Sequence, residues 1–254
     1  MDKLRLRFEK TGRAVYISHL DLMRTMQRAF QRAGLSLKYS EGFNPHPQLS
    51  ILLPLGVGCA SRCELMDLRL REETELETLP ERLSAALPEG IRALEAYPAA
   101  RKAGELKWLL IDGFMEYDDR DAEEMCASLR AFFAGESLVI RKKTKRGEGE
   151  TDIAPAIREI AFNADPRPEA CDRYRAASPE PRQLEERTEV LFDTFSFKKK
   201  YEGVGVRCVL SAQEPTTSPN HLLLALRQLA PDLAPDFASF TRRETYAADM
   251  TVFR

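Results

Sequence analysis

The chain opens on an alternation. Leu4, Leu6 and Phe8 are separated by Arg5 and Arg7, the period of a strand with one apolar face and one arginine-bearing outer face. Lys10-Thr11-Gly12-Arg13 reads as a turn, and residues 14–17 continue extended. The period then changes. Leu22, Met23, Met26, Phe30 and Ala33 recur at three- and four-residue steps, which predicts a helix from His19 to Ala33. Ser18 is placed to accept a hydrogen bond from an amide of the first turn, Asp21 to bond back, and Gly34 to stop the helix. Arg24, Arg28 and Arg32 fall at four-residue steps on another side.

Further along, strands are predicted at 35–39, 48–53 and 64–71, the last with Met66, Leu68 and Leu70 on one face. Between the second strand's start and the helix lies Ser40-Glu41-Gly42-Phe43-Asn44-Pro45-His46-Pro47. Its two prolines fix the backbone around His46. Thr78 and Pro80 open a helix reaching to about Leu87, and 91–97 is extended. The order β-α-β-β-α-β is the split βαβ pattern of ferredoxin-like domains. The second half echoes it with a strand at 106–117, a helix at 121–133 and a strand at 138–143. Residues 147–150 read as a turn, 153–162 as extended or partly helical, and 163–183 as a proline-rich polar loop. A hairpin follows from 190–197 and 204–210 through 198–203, then a Ser218-capped helix at 219–229 and a last extended segment at 237–253. The expected fold is α+β, with two tandem ferredoxin-like (split βαβ) domains and antiparallel sheets. The first spans 1–97, a linker 98–104, and a second, elaborated domain 105–254.

At 254 residues and 43% hydrophobic, the chain can bury a substantial core. No run of eighteen apolar residues occurs and the N-terminus is charged, so neither a membrane span nor a signal peptide is expected. Five cysteines, at 59, 63, 126, 171 and 208, are odd in number and scattered, which points to reduced thiols in a cytoplasm. The net charge is −2, yet residues 1–50 carry nine lysines and arginines against four acids. A second basic cluster runs from Arg141 through Lys142, Lys143 and Lys145 to Arg146, and a third is Lys198 to Lys200. Each suits either a local anionic partner or a solvated charged surface.

Two sets of residues carry candidate chemistry. Cys59 and Cys63 match the first two positions of the C-x₃-C-x₂-C pattern that holds an iron–sulfur cluster, but the third is Met66, inside a periodic strand. No cofactor is expected, and three histidines with scattered cysteines argue against a dedicated zinc site. His19 at the helix start and His46 between prolines could together perform acid–base chemistry on a phosphodiester if their elements meet at one edge. Alternatively His19 supports the helix cap and His46 locks its loop. His221 lies on a helix and is expected at the surface, while Gly203-Val204-Gly205 reads as hairpin geometry. Trp108, Phe195, Phe197 and Tyr201 could be stacking platforms, or core.

At R-L-R-F-E-K, Y-I-S-H-L-D-L-M-R, Y-S-E-G-F-N-P-H-P and P-L-G-V-G the sequence resembles the radical-SAM-linked protein family, most specifically over residues 3–70. Asp152-Ile153-Ala154-Pro155 and Arg242-Arg243-Glu244 occupy further recognisable positions. The resemblance implies a bacterial domain that occurs alone or behind a radical SAM module. It implies work beside a radical SAM partner, on RNA or a translation component, and carries over no catalytic residues. CRISPR repeat-processing endoribonucleases use a similar two-domain shape, a fold-level analogy.

Three functions are therefore expected in order. The first is an RNA-binding or substrate-presenting accessory module, with Arg5, Arg7, Arg24, Arg28, Lys38 and the 141–146 cluster on phosphates and Phe43, Asn44 and His46 shaping a recognition loop. The second is a metal-independent endoribonuclease using His19 and His46. The third is a docking domain for a radical SAM partner that touches no nucleic acid.

Overall fold

The structure, a computed structural model, describes residues 3–144, 147–164 and 203–254, with the side chains of 143 and 144 excepted. The 165–183 loop, the strand at 190–197 with its turn, Cys171, Lys145, Arg146, Phe195, Phe197 and Tyr201 lie outside the described residues.

In the first half, the opening alternation forms strand β1 (Leu4–Lys10). Helix α1 (His19–Arg32) follows, then β2 (Leu49–Ile51), β3 (Ala60–Leu68), helix α2 (Leu79–Ser84) and β4 (Ile91–Pro98). α1 begins as its sequence predicts: the Asp21 amide donates to Ser18 Oγ at 3.1 Å. It ends in a Schellman motif, with Gly34 in the left-handed region (φ 69°) and the Leu35 amide donating to the Phe30 carbonyl. Its apolar stripe of Leu22, Met26, Ala29 and Phe30 packs on Leu4, Leu6, Phe8, Met66 and Leu68.

Two boundaries differ from the expectation. Residues 35–39 form isolated bridges, Leu37 to Leu70 and Tyr39 to Pro47, rather than a strand. Pro47 lacks an amide donor, so no ladder can run through that edge. β3 begins at Ala60 instead of 64, which places both Cys59 and Cys63 in a buried sheet environment.

The second half comprises β5 (Leu106–Glu116), α3 (Ala122–Phe133), a hairpin of β6 (Val139–Thr144) and β7 (Gly147–Asp152), and β8 (Ile157–Ala164). β9 (Gly203–Ser211), α4 (Pro219–Leu229) and β10 (Phe237–Ala247) complete it. Residues 147–150 are strand rather than turn. Glu150 stands opposite Arg141 and their side chains bond at 3.1 Å across the hairpin.

One sheet of eight strands runs through the molecule in the order β4-β1-β3-β10-β5-β9-β8, with β2 also on β3. Its pairings are antiparallel except one. β3 meets β10 in parallel over Thr241–Ala60 and Arg242–Ser61, and this short joint connects the halves. The fold is thus α+β with a mostly antiparallel sheet. A core cluster under α1 and α2 serves the first half; a larger one involving α3 and α4 serves the second and takes in Cys59 and Leu65 of the first.

Candidate nucleic-acid interface

β1 starts opposite the end of β3, Leu4 against Leu68, and ends opposite its start, Lys10 against Ser61. That geometry sorts the candidate residues. His46 lines a shallow pocket with Lys3, Asp67 and Arg69, at the end where β1 begins. His19 opens α1 at the other end, beyond Ile17, whose carbonyl accepts from Lys10 Nζ. The seven residues of β1 separate them, roughly 20 Å at strand rise. The pairing of β2 with β3 does form, but it carries His46 away from His19, and the two imidazoles do not share one phosphodiester.

Each histidine has a local role. His46 braces its loop: its amide donates to Ser40 Oγ at 3.1 Å, its Nδ1 lies 2.9 Å from the same oxygen, and its carbonyl accepts from the Ser40 amide. His19 is half-buried, with Nδ1 unpartnered among the described residues. His221 is half-buried rather than on the surface, 3.3 Å from Thr217 Oγ1. Burial, with Lys142 nearby, lowers its pKa.

The arginine-bearing face of β1 is not a free surface. Arg5 is fully buried, bonded through Nε to Asp67 at 2.7 Å and through Nη2 to the Arg101 carbonyl, with the Phe253 ring 4.8 Å from its guanidinium. It cannot meet a phosphate. Arg7 is half-buried and donates to Glu95 at 3.2 Å. Arg24 is exposed but leans on Asp21. Arg141 pairs with Glu150 at 3.1 Å, and Gln228 of α4 brackets its backbone with two hydrogen bonds. The cluster therefore sits in the second half with its first charge answered across the hairpin. Lys142 is half-buried, and the side chain of Lys143 lies outside the described residues.

What remains gathers at the β1-start end. Arg28, Tyr39 and Arg71 line an open groove of about 370 Å³ with Gln27, Gln31 and Ser36. Beside it, Lys38 bonds through its backbone to Arg69 and Gln48. Phe43 is wholly exposed at the loop tip, Tyr39 is 49% exposed, and Asn44 is exposed between them and His46. Glu41 is the acid within that loop. Two rings standing in solvent among Arg28, Lys38, Arg69 and Arg71 can stack on bases while the cations meet phosphates. Arg69 and Arg71 lie at the end of the strand predicted over 64–71 and outside the residues that the sequence pattern assigns to phosphate contact. The signal lay in their alternation with buried Leu68 and Leu70.

The buried charges are a second arrangement that strand parity could have revealed. Lys10 shares the inward parity of Leu4, Leu6 and Phe8, and Glu64 that of Met66 and Leu68. Both are buried, and Glu64 accepts from Arg242 Nη1 at 2.7 Å. Cys59 and Cys63 neighbour this group; burial raises both thiols, Cys63 to about 12, which suits inert core thiols. Among the described residues no group of three or more histidine, cysteine or acidic side chains is placed to hold a metal ion. Nor does any described helix have the length and apolarity to cross a membrane.

An α+β protein with a mostly antiparallel sheet, carrying a basic and aromatic surface at one sheet end, is the class these features define. Residues 3–186 match the family described as "Uncharacterized protein conserved in bacteria (DUF2344)", and the chain belongs to that family. No curated protein matches. A solved structure, of an unknown protein from Galdieria sulphuraria, is 11% identical over 95% of this chain and 98% of that one, with a TM-score of 0.25, a likeness too slight to inform fold or function.

Proposed function

We propose that the chain is a non-catalytic accessory module that binds single-stranded RNA at the β1-start end and presents it to a radical SAM enzyme. The observation that carries the reading is Phe43, wholly exposed on a loop braced by Ser40 and His46, in which Tyr39 at the stem lines a groove with Arg28 and Arg71 and His46 lines a pocket with Arg69. A ring left in water at that position gains by stacking on a base. The radical SAM partner rests on the sequence resemblance over residues 3–70. Two tandem split βαβ units are the architecture we infer. It is supported by the equivalent orders β4-β1-β3-β2 and β10-β5-β9-β8, in which each half's first strand lies between its third and fourth. The distance between His19 and His46 disfavours a joint nuclease site.

The test is titration of labelled single-stranded RNA across a salt series, with the same samples run on a gel with and without chelator. Three or four phosphate contacts give a log K against log salt slope of about −2 to −3. Phe43→Ala weakens binding about tenfold and leaves the melting temperature unchanged. No binding at low salt sinks the proposal and favours a protein-docking role. Chelator-resistant fragments that vanish on His19→Ala replace it with RNA cleavage.

A further inference from the structure

A cavity of about 260 Å³ lies where the two halves of the sheet join. Its apolar lining includes Leu109 and Ile111 of β5 and Phe240 of β10, and Arg242 is the one charged residue among the described residues that line it. The Leu53-Pro54-Leu55-Gly56 loop and the first turn of α4 form its rim, with Pro54, Gly56 and Asn220 exposed there and Leu109, Ile111 and Phe240 buried below. Pro54, Leu55 and Gly56 of the P-L-G-V-G segment and Arg242, both singled out in the sequence, thus converge on one cavity.

One pole of this space is positive. Arg242 lines it and is only 7% exposed; its Nη1 donates to the Leu53 carbonyl at 3.1 Å and to Glu64, but its Nε–H has no acceptor among the described residues. Arginine stays charged at any ordinary pH, so a buried donor left without a partner is costly unless something fills it. The second contribution is the N-terminus of α4, an eleven-residue helix. Ser218 at its N-cap accepts no bond through its side chain, and Pro219 follows it. Pro219 has no N–H and the His221 and Leu222 amides donate to the Ser218 carbonyl, so what this end offers an anion is the positive pole of the helix dipole. Behind the lining, buried Lys10 lies within electrostatic reach of Glu64 and of Cys59 in the cavity wall, so Lys10 and Arg242 stand against one buried carboxylate, Glu64, whose Oε2 is likewise without a partner among the described residues. That balance leaves room for one negative charge, not two.

We propose that this cavity binds a small organic carboxylic acid, its carboxylate between Arg242 and the start of α4 and its apolar body against Leu109, Ile111 and Phe240. The single uncompensated charge favours a carboxylate over a phosphate dianion. The volume, below the ~300–1,000 Å³ of sites for drug-sized ligands, limits the body to about a phenyl ring or a short branched chain. The site is independent of the RNA-binding surface, which stands at the far end of β1.

The experiment is calorimetric titration of the full chain with 3-phenylpropanoate and, separately, with 3-phenylpropan-1-ol, the uncharged analogue. The acid is expected to bind and the alcohol to bind at least about tenfold more weakly. Gly56→Leu provides the location. A Cβ there meets only Asn220 Nδ2 at 3.6 Å and Cys59 Sγ at 4.0 Å, ordinary contacts, while the longer side chain fills the rim. This variant should keep its melting temperature and lose acid binding about tenfold or more, and Phe43→Ala should bind the acid as the unaltered chain does. Equal binding of acid and alcohol, acid binding unchanged in Gly56→Leu, or no acid binding up to about 10 mM would overturn the proposal. Inorganic phosphate binding more tightly than the acid would overturn the carboxylate assignment.

Discussion

Arg5 is the residue whose role changes most between sequence and structure. Its period places it on the outer face of a strand, yet it is among the largest fully buried side chains of the described residues. Asp67 and the Arg101 carbonyl satisfy part of its guanidinium and Phe253 covers it. Removing one member of a buried pair leaves the other charge uncompensated, so Arg5→Met should destabilise by about 3 kcal/mol in urea unfolding, with Arg5→Met/Asp67→Leu recovering much of the loss. A second residue-scale expectation concerns His221. Burial and Lys142 hold its imidazole below the usual value, so folding favours the neutral ring. That contribution is fully present above the unfolded pKa, about 6.5, and is lost as pH falls through the lower folded value. Melting temperature should therefore fall less between pH 7.5 and 5 in His221→Gln than in the unaltered protein, roughly the window where histidine titrates. A third concerns the thiols. Burial raises Cys59, Cys63, Cys126 and Cys208, with Cys63 and Cys208 pushed up to about 12. In a Cys171→Ser background, a thiol reagent near neutral pH should label none of the four until denaturant is added.

Individual elements follow their sequence period closely where a single face meets the core. α1 begins at its Ser18 cap and ends within one residue of its predicted limit because capping and stripe agree. Elements whose shape depends on a neighbour do not. The pairing of β6 with β7, with Arg141 meeting Glu150 across it, is invisible along one strand. Gly113 shows the same dependence within β5. A Cβ there would lie 2.4 Å from the Phe240 ring of β10 and 2.9 Å from Val206 of β9, so the glycine admits the ring across the sheet. Gly113→Ala should cost about 1–3 kcal/mol by chemical denaturation, although alanine suits a strand no worse than glycine does.

At the scale of the molecule, the halves are joined among other contacts by two parallel Cα pairs, the Arg242–Glu64 bond and the penultimate residue, Phe253. Phe253 is fully buried in the second-half core while lying against Arg5 of β1, so it couples the two units. Phe253→Ala should destabilise by about 3 kcal/mol and shift the fluorescence of Trp108 and the far-UV signal together, as expected where both halves lose a shared contact. The location of the candidate surfaces is also a whole-molecule property. β2 pairs with β3 in the direction that carries His46, Phe43 and Arg69 to one end and leaves His19 at the other.

Period, caps and turn residues determined where most helices and strands of this protein lie, because those depend on neighbours a few positions away. They also marked the β1–α1 stretch and the braced loop at His46, while Lys10, read as part of a turn, and Glu64 turned out to be buried. The tertiary structure decided what no local pattern encodes. It closed one sheet through the β3–β10 joint, buried Arg5 beneath a residue nearly 250 positions away, separated His19 from His46 by a strand's length, and enclosed Arg242 beside the start of α4. Each of these depends on which segments meet across long stretches of chain, and the free energy of such meetings comes from packing and charge pairing, which periodicity along the sequence does not specify.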